Sequence, residues 1–168
     1  MICNFSELPT RLKKGQCLLG IDPGSKTIGL AISDPGLTVA SPLASITRGK
    51  FAADAVALTK IVQDRNVGGL IVGLPKTMEG EEGPAAQSAR ALVRNLLERG
   101  NLPDPDLPVV FWDERFSTAA VEREMIAHDI SRSKRAAKID QAAAAYILQG
   151  ALDALRTARL PPSAKGPI

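Results

Sequence analysis

Near the start of the chain the apolar positions gather into short runs separated by turn-forming residues. Cys17 to Asp22 is one such run and Ile28 to Ser33 another, with Asp22-Pro-Gly-Ser-Lys-Thr27 between them. The pair predicts an antiparallel hairpin closed by a loop of about five residues. Asp34-Pro-Gly36 is a second turn, and a third strand from roughly Val39 to Thr47 completes a meander. The period then changes. Ala55, Leu58 and Val62 recur at helical spacing within Ala52 to Arg65, and Gly68-Gly69 is expected to stop that helix. Leu70-Ile-Val-Gly73 reads as a strand buried on both faces. Pro84 opens a helix whose apolar face is Ala89, Leu92, Val93, Leu96 and Leu97, ended by Gly100. After a proline-marked loop, Val109-Val-Phe-Trp112 is a strand. A helix capped by Ser117 or Thr118 and running to about His128 is expected next, then a polar, basic stretch from Ser131 to Lys138, then a last helix over roughly Lys138 to Arg156. The order βββ-α-β-α-β-α-α predicts an α/β fold: a mixed sheet with helices on its faces.

Length and charge narrow this reading. At 168 residues the chain suits one domain with its own core. Residues 1–16 lack a period and are expected to be a flexible arm, 17–156 the folded domain, and 157–168 a disordered tail. The net charge of +3 hints at nucleic acid, but arm and tail hold five of the 21 Lys and Arg and only one of the 18 acids. The domain itself is therefore slightly acidic, and any case for nucleic acid must rest on a local patch. Cys3 and Cys17 have neither metal-ligand spacing nor a disulfide framework, as expected of reduced thiols in a cytoplasmic protein. The first apolar run is ended by Asp22, too short for a signal segment or a membrane span.

Three acids stand where core patterning would prefer another residue. Leu18, Gly20 and Asp22 share one face of the first strand, Asp22 at its end, where it is either a turn-forming residue before Pro-Gly or a ligand. Glu114 follows the last strand; it and Asp113 point to opposite faces, so at most one of them serves a given site. Asp140 stands four residues before Ala144 and seven before Ile147, on the apolar stripe of the last helix. A favourable acid in a first helical turn is the ordinary explanation. On a buried stripe, though, an acid costs free energy unless it is paired or binds a cation. Acids at two strand ends and a helix start suit hard divalent ions such as Mg²⁺ or Mn²⁺. Two such ions roughly 4 Å apart serve phosphodiester cleavage. His128 is the only histidine, which argues against a histidine-rich zinc site.

Four segments carry a family resemblance: Gly20-Ile-Asp-Pro-Gly-Ser-Lys-Thr-Ile-Gly-Leu-Ala31, Ile71-Val-Gly-Leu-Pro-Lys-Thr-Met-Glu-Gly80, Asp113-Glu-Arg-Phe-Ser-Thr118 and Lys138-Ile-Asp-Gln-Ala-Ala-Ala144. In this order they resemble the motifs of the YqgF (RuvX) family, described both as Holliday junction resolvases and as nucleases maturing the 16S ribosomal RNA precursor. The resemblance spans about residues 17–155. It implies an RNase H-like fold, metal-dependent hydrolysis, and Asp22, Glu114 and Asp140 as the acidic triad. Precursor ribosomal RNA is the favoured partner and branched DNA the alternative, acted on by a monomer or a homodimer with no membrane involved.

Supporting residues have competing roles. Lys26 is a phosphate contact or a solvated turn lysine, and Lys76 follows a strand end where α/β sheets place binding groups. Arg115 either stabilises phosphate charge or pairs with a neighbouring acid. Trp112, Phe116 and Tyr146 are expected in the core rather than against bases. Lys134, Arg135 and Lys138 belong to the basic stretch leading to Asp140, expected as a loop that is either a solvated linker or a backbone grip. Two rival classes remain: a phosphate-binding ATPase, which would need a second domain, and a non-catalytic nucleic-acid-binding module.

Overall fold

The computed structural model describes residues 1–113 and 132–159, with side chains from 138 to 158 in the second stretch. Helix α1 (Leu8–Arg11) precedes the meander of β1 (Cys17–Pro23), β2 (Thr27–Ser33) and β3 (Ala40–Thr47). Helix α2 (Phe51–Asp64) leads to β4 (Val67–Leu74), and α3 (Pro84–Arg99) leads to β5 (Val109–Asp113). Helix α4 (Arg132–Arg159) closes the described chain. The sheet runs β3-β2-β1-β4-β5. The meander is antiparallel, whereas β4 lies parallel to β1 and β5 parallel to β4. This is the mixed sheet expected.

Alternation along the strands builds two cores. Leu19, Ile21, Leu30, Leu70, Val72 and Val109 face α2 and α3, which contribute Leu58, Val62, Val93 and Leu96. Leu18, Ala31, Ile71 and Val110 face α4, which contributes Ala144, Ile147, Leu148, Ala151, Leu152 and Leu155. Strand β4 is buried at every position because it lies between β1 and β5 with helices on both faces. Among the described residues no helix is long and apolar enough to cross a membrane.

Four expectations need correction. Residues 1–12 are not a loose arm: the amino terminus donates to the Leu107 carbonyl at 2.6 Å, Ile2 bridges to Val109, and Leu8 is fully buried in the α4-side core. No local period marks this segment because tertiary contacts hold it. Gly68 and Gly69 do not stop α2; they lie within β4, where an added Cβ would strike Gln16 at one and Leu18 at the other. The helix ends at Arg65–Asn66, with Asn66 at φ 52°. The basic stretch is helical from Arg132, consistent with a run of Arg, Lys and Ala that contains no Gly or Pro. Tyr146 is 45% exposed rather than buried in the core. The helix expected between Ser117 and His128 lies outside the described residues.

Asp34 organises the turn that feeds β3. Its carboxylate accepts the N–H of Val39 at 2.8 Å, and the N–H and hydroxyl of Thr38 at 2.7 and 2.8 Å. The Val39 amide foremost, then the Thr38 donors, outweigh partial desolvation and hold the carboxyl at about 2, below its ordinary 3.8. Because the folded value is depressed, the contribution is complete above the unfolded value and is lost as pH falls through the folded one. Asp34→Ala should therefore lower stability by roughly 1–2 kcal/mol near neutral pH. In urea unfolding the gap from wild type should close as pH drops from 4 towards 2. A gap independent of pH would refute this role.

Candidate functional site

One edge of the sheet carries Asp22, Lys26 and Lys76, and the α4 residue Asp140 lies against it. Strand β1 ends there at Asp22-Pro23, β2 begins there at Thr27, and β3, β4 and β5 end there at Thr47, Leu74 and Asp113. Asp22 pairs across the hairpin with Gly29. Residues directly opposite in an antiparallel pair project from the same face. A Cβ built on Gly29 would run into the backbone carbonyl of Asp140, and one on Gly20 would lie 2.8 Å from the Leu148 Cβ and 2.9 Å from the Ala144 carbonyl oxygen. The face carrying Gly20, Asp22 and Gly29 is thus the one α4 covers, and the backbone of Asp140 rests on the residue opposite Asp22.

The setting of Asp140 is more specific than its sequence position indicated. Helix α4 begins at Arg132, more than two turns before it. The favourable first-turn explanation for this acid therefore lapses, because the helix amino terminus is too far away. Asp140 is half-buried at the head of the stripe that continues through Ala144, Ile147 and Ala151, and its Oδ2 accepts the hydroxyl of Thr27. Asp22 is half-buried as well.

Asp113 is exposed. By alternation it falls on the face of Phe111, which packs towards α3, whereas Trp112 packs towards α4. Glu114 and Arg115 lie outside the described residues, as do the side chains of Lys134 and Arg135. Among the described residues no three His, Cys, Asp or Glu side chains cluster. Lys26 is exposed in the β1–β2 loop, Lys76 is half-buried just after β4, and Lys138 is exposed two residues before Asp140. Trp112 packs beside Phe5, ring centroids 5.2 Å apart, and against Gly150, as expected of a core aromatic.

Sequence reasoning missed several polar groups at this edge. Arg90 grips Glu82 with two bonds of 2.7 and 2.6 Å and lies 4.7 Å over the Phe111 ring, fastening the loop after β4 to α3 and β5. That grip, with Lys76 nearby, lowers the pKa of Glu82. Thr27 and Arg48 also contact the site's loop or its acids. Thr27 stood within a recognised motif, but nothing local tied it to a residue 113 positions away.

The mixed five-strand sheet, three antiparallel strands followed by two parallel ones with helices on both faces, is the architecture expected of an RNase H-like domain. The chain belongs to the RuvX family, whose model, described as Holliday junction resolvase, matches residues 16–154. Its relatives include proteins provisionally named pre-16S rRNA nuclease. One from Paracoccus denitrificans is 55% identical over 157 residues, covering 93% of this chain and 96% of its own length. One from Rhodospirillum centenum is 53% identical over 155 residues, covering 92% and 82% respectively. Among solved structures, Thermus thermophilus RuvC in complex with a Holliday junction substrate aligns with a TM-score of 0.49 at 15% identity, over 83% of this chain and 94% of that one.

The contact beneath Asp140 is testable. Gly29→Ala forces α4 off the sheet or distorts β2, and should cost about 1–3 kcal/mol or more in urea unfolding. A stability equal to wild type would show that the helix does not sit this close.

Proposed function

We propose that the chain is a divalent-metal-dependent endonuclease that hydrolyses phosphodiester bonds in structured nucleic acid, with the 16S ribosomal RNA precursor as substrate and the cytoplasm as its compartment. The observation that carries this reading is the seating of Asp140 on Gly29, directly across the hairpin from Asp22. The names of relatives at 53–55% identity support RNA as substrate. The family description favours branched DNA as the second reading.

The residues fit hard divalent ions. Two half-buried carboxylates on the face that α4 covers are costly to desolvate, and a bound cation relieves that penalty. All the donors are oxygen, which suits Mg²⁺ or Mn²⁺. Asp22 and Asp140 would hold the ions, with Glu114 as third acid. Ions bound there would stabilise charge on the phosphoryl oxygens and make water a better nucleophile. The chain's own groups prepare that chemistry. Thr27 fixes Oδ2 of Asp140 through its hydroxyl. Lys26, Lys76 and Lys138 flank the edge as phosphate contacts, and Arg115, Lys134 and Arg135 join them on the strength of their sequence positions. The two acids are held on a sheet and a helix, so they need little reorganisation to receive substrate.

Incubating the purified chain with precursor 16S ribosomal RNA and with a four-way DNA junction, in Mg²⁺, Mn²⁺ or a chelator, tests the reading. Metal-dependent cutting of the RNA precursor is expected. Asp22→Asn and Asp140→Asn should each reduce cleavage at least about a hundredfold, since even groups that merely support a metal ligand cost 10–100-fold. Their melting temperatures should change little, because Asn keeps the size and hydrogen-bonding capacity of each side chain. Full activity of either variant would remove that residue from the site. Cutting of the junction alone would move the substrate to branched DNA.

A further inference from the structure

We infer that Arg48 is a phosphate-binding residue that grips the nucleic-acid backbone at the same end of the sheet as the acids, an inference that rests on the nuclease reading above. Arg48 follows the last residue of β3 and so reaches the edge where β1 ends and β2 begins. Its backbone N–H donates to the Lys26 carbonyl at 2.8 Å. Its guanidinium Nη1 donates to the Gly24 carbonyl at 2.9 Å and lies 3.5 Å from the Ser88 hydroxyl of α3. The bonds to Lys26 and Gly24 both reach the loop that starts at Asp22, and Gly24 is only two residues beyond that acid. The half-buried Arg48 is therefore held against the loop that leaves the proposed metal ligand, on the α3 side of the sheet's end, while Asp22 and Asp140 lie on the α4 side.

Arg48 differs from the ion-paired arginines in the chemistry of its partners. Arg11, Arg90 and Arg156 each face a carboxylate, at 4.0, 2.6 and 3.2 Å. Arg48 bonds to a carbonyl and approaches a hydroxyl, neither of which neutralises it. A carbonyl orients a guanidinium and leaves its full charge and most of its five donors available. An anion with two oxygens in a plane completes that geometry, and phosphate is such an anion. The surroundings need a cation. Asp22 and Asp140 repel an approaching polyanion, and the domain's slight net acidity offers no compensation. Lys26, exposed on the same loop, extends the positive track that Arg48 begins. A rival role is purely mechanical: Arg48 could serve only to clamp the β1–β2 loop to α3.

Binding across a salt series separates the two roles. The probes are a fluorescein-labelled RNA hairpin and a labelled four-way DNA junction, read by anisotropy with Asp22→Asn protein so that nothing is cut. Adding Arg48→Ala should weaken binding of the preferred probe roughly tenfold. It should also flatten the slope of log K against log salt by roughly 0.7–0.9, because one phosphate is no longer neutralised. Arg48→Lys should restore the slope but only part of the affinity, because a point charge replaces a two-pronged donor. An unchanged affinity and slope in Arg48→Ala overturns the inference, as does a lowered melting temperature with an unchanged slope, which assigns Arg48 to the clamp. If the protein with Arg48 intact binds neither probe, the nuclease reading falls together with this inference. If it binds and the wild type cuts while Arg48→Ala binds equally well, only this inference falls.

Discussion

The close approach of α4 to the β1–β2 hairpin is the contact on which the rest depends. Side chains normally hold a helix away from a sheet, and here two strand positions carry none. Gly20 lies under Ala144 and Leu148, and Gly29 lies under the backbone of Asp140. The helix answers with four consecutive small residues, Ala142 to Ala145, before its larger Ile147 and Leu148. Farther along, Leu148, Leu152 and Leu155 fill the space over Leu18, Ile71 and Val110. Each buried side chain of this size contributes about 1.5–3 kcal/mol. Apolar burial towards the far end thus holds the polar end of the helix down on the hairpin. The energy comes from one part of the stripe and its consequence falls on another, where Asp140 is seated.

The same constraint explains why acids can gather at this edge. Carboxylates are costly to desolvate unless they are paired, hydrogen-bonded or hold a cation, and rigid packing keeps them in place to do so. Asp22 is carried by a strand with neighbours on both sides, and Asp140 by a long helix anchored through its apolar stripe. Thr27 ties the helix acid to the neighbouring strand, and Arg48 ties the loop after Asp22 to the end of β3 and to α3. Both acids thus stand on rigid supports, as the proposed metal site requires.

Much of this was legible in the sequence, for reasons that can be named. Leu18, Gly20 and Asp22 sit two apart, so their common face followed from the strand period alone. The offset of Asp140 from Ala144, Ile147 and Ala151 likewise identified its stripe. What eluded the sequence depended on distant partners. Residues 1–12 show no period because their order comes from Leu107, Val109 and the α4-side core. Gly68 and Gly69 resemble helix breakers until one sees that Gln16, Leu18 and Leu8 occupy the space their side chains would need. The basic stretch before Asp140 is polar on every side, so hydrophobic periodicity could not disclose its helix although its residues favour one. Arg48 became visible only when topology brought the end of β3 beside the loop after β1.

Anomalous diffraction from crystals soaked in Mn²⁺ tests the central claim most directly, because it locates the ion without relying on substrate or turnover. The account predicts a peak at the carboxyl-terminal edge of the sheet, coordinated by the carboxylates of both Asp22 and Asp140 and absent from Asp140→Asn crystals. Under the same soak, a peak bound by other residues, or one that persists with Asp140 replaced, would contradict it.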